Sequence, residues 1–208
     1  MATKLSVYND AALILKQRKI ASLTEQTPTR ITFDQAWDSV FEYMIGIGNW
    51  HFASRTVALT AEETAEPEFG YVYYFAKPDD YARLIWISAS PHGLPQLTDY
   101  SEEGDYWTAD CDTLYIKYVS SGVEHGGDLG KWTPEFTRAT AFELADRTAG
   151  ALTKASANDL ERLERRKDKA LHKAKSTEAF SQPTQMPAPG RLVQSRIGRD
   201  GDLRNRYR

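Results

Sequence analysis

Residues 32–60, TFDQAWDSVFEYMIGIGNWHFASRTVALT, hold a helix and a strand with one turn between them, and that succession decides the fold. In the first half Phe33, Trp37, Val40, Phe41, Met44 and Ile45 follow the i, i+4, i+7, i+8 spacing of one apolar helix face. Thr32 with Gln35 three residues on has capping-box spacing, and Gly46 and Gly48 read as the stop. In the second half RTVALT, residues 55–60, is short, rich in β-branched residues and bounded by polar segments, and reads as a strand. Phe33, Trp37, Phe41, Trp50 and Phe52 are the expected core of this stretch.

Upstream, Leu5, Tyr8, Ala12, Leu13 and Leu15 predict a helix over Leu5–Ile20 that finishes on Lys16, Arg18 and Lys19, cations suited to a helix C-terminus. SLTEQTPTR (22–30) then reads as a loop. Downstream, YVYYFA (71–76), RLIWIS (83–88) and DTLYIKYV (112–119) predict further strands, antiparallel because no long helix separates them. The connections 61–70 and 89–105 read as acidic loops, and SSGVEHGGDLGKW (120–132) as a flexible glycine-rich loop.

Helix returns at residues 133–152, where Thr133 caps, Pro134 takes the first helical position and Phe136, Ala139, Ala145 and Ala149 form an inner face. Residues 158–180 predict a long helix that is charged nearly all round, with only Leu160, Leu163 and Leu171 at core spacing. Such a helix depends on i,i+4 pairs such as Glu161–Arg165 or on neighbours outside the chain. The expected fold class is α+β: a helical bundle with an inserted antiparallel β-rich block and an extended C-terminal arm. Its parts are bundle helices at 1–54, the β-rich insertion at 55–130, bundle helices at 131–181 and the basic arm at 182–208.

A chain of 208 residues, 41% hydrophobic and with five tryptophans, can bury a substantial core. The one cysteine, Cys111, excludes an internal disulfide framework and a cysteine-based zinc site. The N-terminus has no signal-peptide pattern and no stretch has the length of a membrane span, so the expectation is a soluble, cytosolic product with no membrane partner. A net charge of −3 conceals an asymmetry. Residues 61–112 carry twelve acidic and two basic side chains, while residues 154–175 carry eight basic against four acidic ones. The last eighteen residues add six arginines against two aspartates. An acidic middle and a basic end suggest complementarity between copies or with partners.

No catalytic pattern emerges. The four histidines lack metal-ligand spacing, the MIGIGNW segment lacks the third glycine of a dinucleotide fingerprint, and neither a P-loop nor a nucleophile elbow occurs. The expectation is a non-enzyme without cofactor, metal or catalytic residues. A nucleic-acid-binding accessory protein, using ERRKDKALHKAK (164–175) and the Arg-rich tail to neutralise phosphates, is the alternative.

The tail is not expected to order itself, and is either held by a partner or serves as a solubilising extension. Fixing it costs about 1–2 kcal/mol per residue, more than its few apolar side chains return at ~1.5–3 kcal/mol each. GRLVQSRIG (190–198) alternates in the manner of a strand that adds to another sheet.

NWHFASRTVALT (49–60), directly after an aromatic helix, resembles the GWxF turn of the tail tubular or head-to-tail adaptor proteins of short-tailed phages. YVYYFAKPDDYARLIWIS (71–88) resembles that family's aromatic strand, Pro-Asp turn and following strand. DTLYIKYVSS (112–121) is similar to the next strand, and residues 132–180 to the paired C-terminal helices. The similar segments run from Phe33 to Phe180, and the loop Pro91–Asp105 and the tail after Pro189 depart from the pattern.

The resemblance implies a virion structural protein at the head-tail junction, assembled in the host cytoplasm. It implies a homo-oligomeric ring of about twelve copies beneath the portal protein. That ring carries the tail nozzle protein and extends a channel through which packaged DNA passes without sequence-specific binding. Arg191, Leu192, Val193, Arg196, Ile197 and Arg199 are then expected to grip the portal or a neighbour. Glu161, Arg165, Arg166 and Lys169 are expected at inter-subunit or channel contacts.

Overall fold

The structure is a computed structural model that describes residues 1–62 and 70–181. Its fold is α+β: four helices and two small antiparallel sheets. The helices are α1 (Lys4–Ile14), α2 (Pro28–Gly46), α3 (Pro134–Leu152) and α4 (Ala157–Ser181). Between α2 and α3 come β1 (Ser54–Thr60), β2 (Tyr73–Ala76), β3 (Tyr81–Ser88), β4 (Ser101–Glu103), β5 (Tyr106–Ala109) and β6 (Thr113–Ser120). The basic arm, with Arg191, Leu192, Val193, Arg196, Ile197 and Arg199, lies outside the described residues, as does most of the acidic connection 61–70.

Several boundaries differ from expectation. α2 begins at Pro28, one turn before Thr32, because a proline at the first helical position is already set at a helical φ and lacks only an N–H that would be unpaired there. Thr27 stands at the N-cap without a side-chain cap bond, and Thr32 and Gln35 lie inside the helix. α1 ends at Ile14, and Lys16 takes a left-handed φ of 57°, so Lys16, Arg18 and Lys19 lie beyond the helix. Gly46, read as part of the stop, falls within α2. Gly48 follows α2, where a Cβ would stand 2.6 Å from the Trp50 ring.

The aromatic residues of α2 and of the turn after it build the bundle core. Phe33, Trp37 and Trp50 are buried, while Phe41 and Phe52 are partly buried against that core. The Trp50 ring meets Phe136 edge-on at 4.6 Å, and its Nε1–H donates to the Met44 carbonyl at 2.8 Å. Asp34 ties α1 to α2, accepting from Tyr8 Oη at 2.6 Å and pairing with Lys4 at 3.1 Å and Arg30 at 2.5 Å. Burial acts against its charge, but the bonds from Tyr8, Lys4 and Arg30 win and hold its pKa below the usual carboxylate value.

The two sheets have the orders β1-β6-β3 and β2-β5-β4. They share a second core of Phe75, Ile87, Trp107, Ala109, Leu114, Ile116 and Tyr118, in which the last three alternate along one face of β6. One of these strands was expected to be loop, and another, β5, falls where no element was expected. The acidic run before residue 105 contains β4, which pairs with β5 through Ser101↔Thr108 and Glu103↔Tyr106. Gly104, at a φ of 54°, supplies the left-handed position this hairpin turn needs.

Asp80 locks the base of the block. It accepts from Tyr118 Oη at 2.8 Å, from Ser120 Oγ and from Arg55 Nη1 at 3.1 Å. The glycine-rich segment 120–132 is a succession of hydrogen-bonded turns, not an open loop. A Cβ at Gly126 would lie 2.3 Å from the Ser120 carbonyl oxygen.

Candidate partner-binding groove

α3 begins where the sequence places it: the Thr133 hydroxyl accepts from the Phe136 N–H, Pro134 is first in the helix and Glu135 sits in the first turn. Ala139, Ala141, Ala145 and Ala149 are buried along it, so α1, α2 and α4 can all approach closely. α4 packs against α3 along the stripe Leu163, Lys167, Ala170, Leu171, Ala174 and Glu178. Leu160, expected in this stripe, is exposed.

Polar contacts help to hold α4. Lys167 reaches Asp146 at 2.6 Å and Glu143 at 3.8 Å. Burial acts against its ammonium, but the Asp146 bond and the nearby carboxylates outweigh it and raise its pKa. Glu178, buried, accepts from the His51 backbone N–H at 3.1 Å, contacts the His51 ring Nδ1 and accepts from Thr133 Oγ1 at 3.4 Å. One carboxylate thus joins the last turns of α4 to the base of the β-block and to the start of α3.

Beside that stripe, Arg162, Arg166, Lys169 and Lys173 recur at i, i+4, i+7 and i+11 and share one face of α4. The last three, with Arg138 of α3, surround a groove of about 340 Å³ floored by Phe142 and Ala170. The guanidinium groups of Arg138 and Arg166 lie 5.7 and 5.5 Å from the Phe142 ring centroid. Among the described residues no carboxylate pairs with Arg138, Arg166, Lys169 or Lys173. Among the described residues Glu135 is the one acidic residue that lines the groove. Arg166 also lines a second cleft, of about 380 Å³, where Lys16, Lys154 and Arg162 gather around the ends of α1 and α3.

The opposite charge sits at the far tip of the β-block. β1 and β6 run from Ser54↔Val119, next to the bundle, out to Thr60↔Thr113. At that outer end Glu62, Asp110 and Asp112 are exposed. Asp110 accepts from the Val72 N–H at 2.8 Å, and Asp99 accepts from Tyr71 Oη at 2.8 Å. Burial, then the Asp112 and Asp110 charges, push the Cys111 thiol between them upward, away from the reactive thiolate.

The four residues expected on α4 therefore divide. Arg166 and Lys169 line the groove, whereas Glu161 and Arg165 pair with each other at 2.5 Å on the exposed face. Arg138 and Lys173 are not among the expected residues. Lys173 was legible in the helical period of α4, but Arg138 is brought there only by the docking of two helices. Among the described residues no group of three or more His, Cys, Asp or Glu side chains could hold a metal ion, and no helix is long and apolar enough to cross a membrane. The chain matches no protein-family model and no curated protein.

Proposed function

We propose that the chain is a non-enzymatic head-to-tail connector subunit, forming a ring beneath a portal and extending the DNA channel toward a tail nozzle. The observation that carries this reading is the pairing of opposite surfaces on one chain: cations along α3 and α4 with no carboxylate partner among the described residues, and exposed carboxylates at the tip of the β-block. A ring needs a patch on each copy that meets a different patch on the next, and such a division supplies one. The narrow inner stripe of α4, which leaves most of a 25-residue helix facing outward, also suits a subunit whose exterior is interface.

Negative-stain imaging of the protein mixed with the portal protein of the same virus tests the reading. A ring of added density at one end of the portal is expected; portals indistinguishable from those imaged alone would overturn it. The row of unpaired cations also favours a second reading, an accessory protein that binds nucleic acid. That reading requires duplex binding that weakens steeply with salt, with a shallower slope once groove cations are removed.

A further inference from the structure

We infer that the groove between α3 and α4 is the receptor for the β5–β6 turn of a neighbouring copy, Asp110–Asp112. The inference rests on the connector reading and names the two surfaces that meet in it. Arg138 and Arg166 are held against the Phe142 ring, which presents their planar donor forks to the groove. Such forks match the two oxygens of a carboxylate. Lys169 and Lys173 extend the same cationic wall along α4.

The β5–β6 turn brings two exposed carboxylates on either side of Cys111, at the end of the block farthest from the bundle. Asp110 has one oxygen occupied by the Val72 N–H, and Asp112 makes no hydrogen bond or ion pair among the described residues. At about 340 Å³ the groove lies near the low end of the range for ligand clefts, roughly 300–1,000 Å³, a size suited to the tip of a turn.

A phosphodiester backbone is the weaker occupant. Phe142 is only 4% exposed, so no aromatic face is offered to a base. Glu135 in the groove, with the exposed Glu164 and Asp168 on α4, would oppose a continuous polyanion. The chain itself, by contrast, carries exposed carboxylates that could pair with the groove cations.

Carbodiimide coupling, which joins a carboxylate directly to a lysine amine, tests the contact on an equal mixture of ¹⁴N- and ¹⁵N-labelled chains. Coupling is run on the free protein at high concentration and on the portal-bound assembly, and is read by mass spectrometry. Mixed-isotope links from Asp110 or Asp112 to Lys169 or Lys173 are expected, at least tenfold weaker in Arg138→Glu/Arg166→Glu, which keeps both lysines. A ring on the portal without these links overturns the inference and leaves the connector reading standing. The links without a ring do the reverse, and the absence of both sinks the two together. Unlinked chains that bind a duplex oligonucleotide, with binding lost in the double variant, would assign the groove to phosphate and overturn the inference.

Discussion

α3 and α4 lie side by side, yet they are held by opposite means. Over 19 residues α3 buries Phe136, Phe142, Leu144 and a run of alanines, and it touches every other helix. Over 25 residues α4 buries Leu163, Ala174 and the carboxylate of Glu178. Burial of apolar area secures the first helix. The second rests on a few polar anchors, and its remaining length is free to meet something else. An exterior helix of this kind is kept in place more cheaply than a core helix, and it displays a charge pattern that a core helix cannot.

The comparison breaks first if α3 proves dispensable. Phe136 is fully buried, with ring centroids of Trp50, Trp132 and Phe52 at 4.6, 4.7 and 5.0 Å. Phe136→Ala should cost about 3–5 kcal/mol in urea unfolding. A loss below about 1 kcal/mol would mean that the aromatic cluster is not what holds the bundle. Glu178→Ala, which strips an acceptor from the His51 N–H and from Thr133, should cost about 2 kcal/mol. Its signature is local: amide exchange should quicken in the last turns of α4 while α3 stays protected. Equal loosening of both helices would erase the distinction between them.

Acid sharpens the contrast from the other side. Asp34 in the bundle and Asp80 in the β-block both have pKa values held below the unfolded value near 4. The folded state gives up these protons more readily than the unfolded one. The stabilisation is therefore full above about pH 4 and is lost as pH falls through the folded values. Asp34→Asn should cost on the order of 1 kcal/mol at neutral pH, since Tyr8, Lys4 and Arg30 lose a charged acceptor. The gap to the wild type should narrow as pH falls below 4. A gap unchanged between pH 7 and pH 3 would show that the Asp34 charge contributes nothing.

The same two helices divide what the sequence discloses from what it conceals. α3 was legible to its first residue, because Thr133, Pro134 and Glu135 act locally and its alanines mark close packing. The inner stripe of α4 was legible at Leu163 and Leu171 but not at Glu178, which is buried by virtue of His51, 127 residues away, a pairing no local pattern signals. Where two local signals competed the choice went astray: Thr32 and Gln35 have capping spacing, but Pro28 dictates the start of α2. In β4 the charges of Glu102 and Glu103 mask a strand whose partner carries the fully buried Trp107. The groove was half legible for the same reason, since Arg166 and Lys169 lie on one helix and Arg138 arrives from another.

The smallest expected effect is the most informative about α4. Glu161 and Arg165 pair at 2.5 Å with both side chains more than half exposed, 57% and 71%. Water and salt screen such a pair, and holding two long side chains together costs entropy, so Arg165→Ala should change the stability of the free chain by no more than about 0.5 kcal/mol. In an assembled ring the same substitution discriminates. If the outer face of α4 stays in solvent there, assembly proceeds as in the wild type. If that face is covered by a neighbour or by the portal, removing Arg165 leaves Glu161 without its partner in a drier setting, where an unpaired charge is far more costly. Assembly should then weaken although folding does not, as measured by the protein concentration at which half the portals carry a ring.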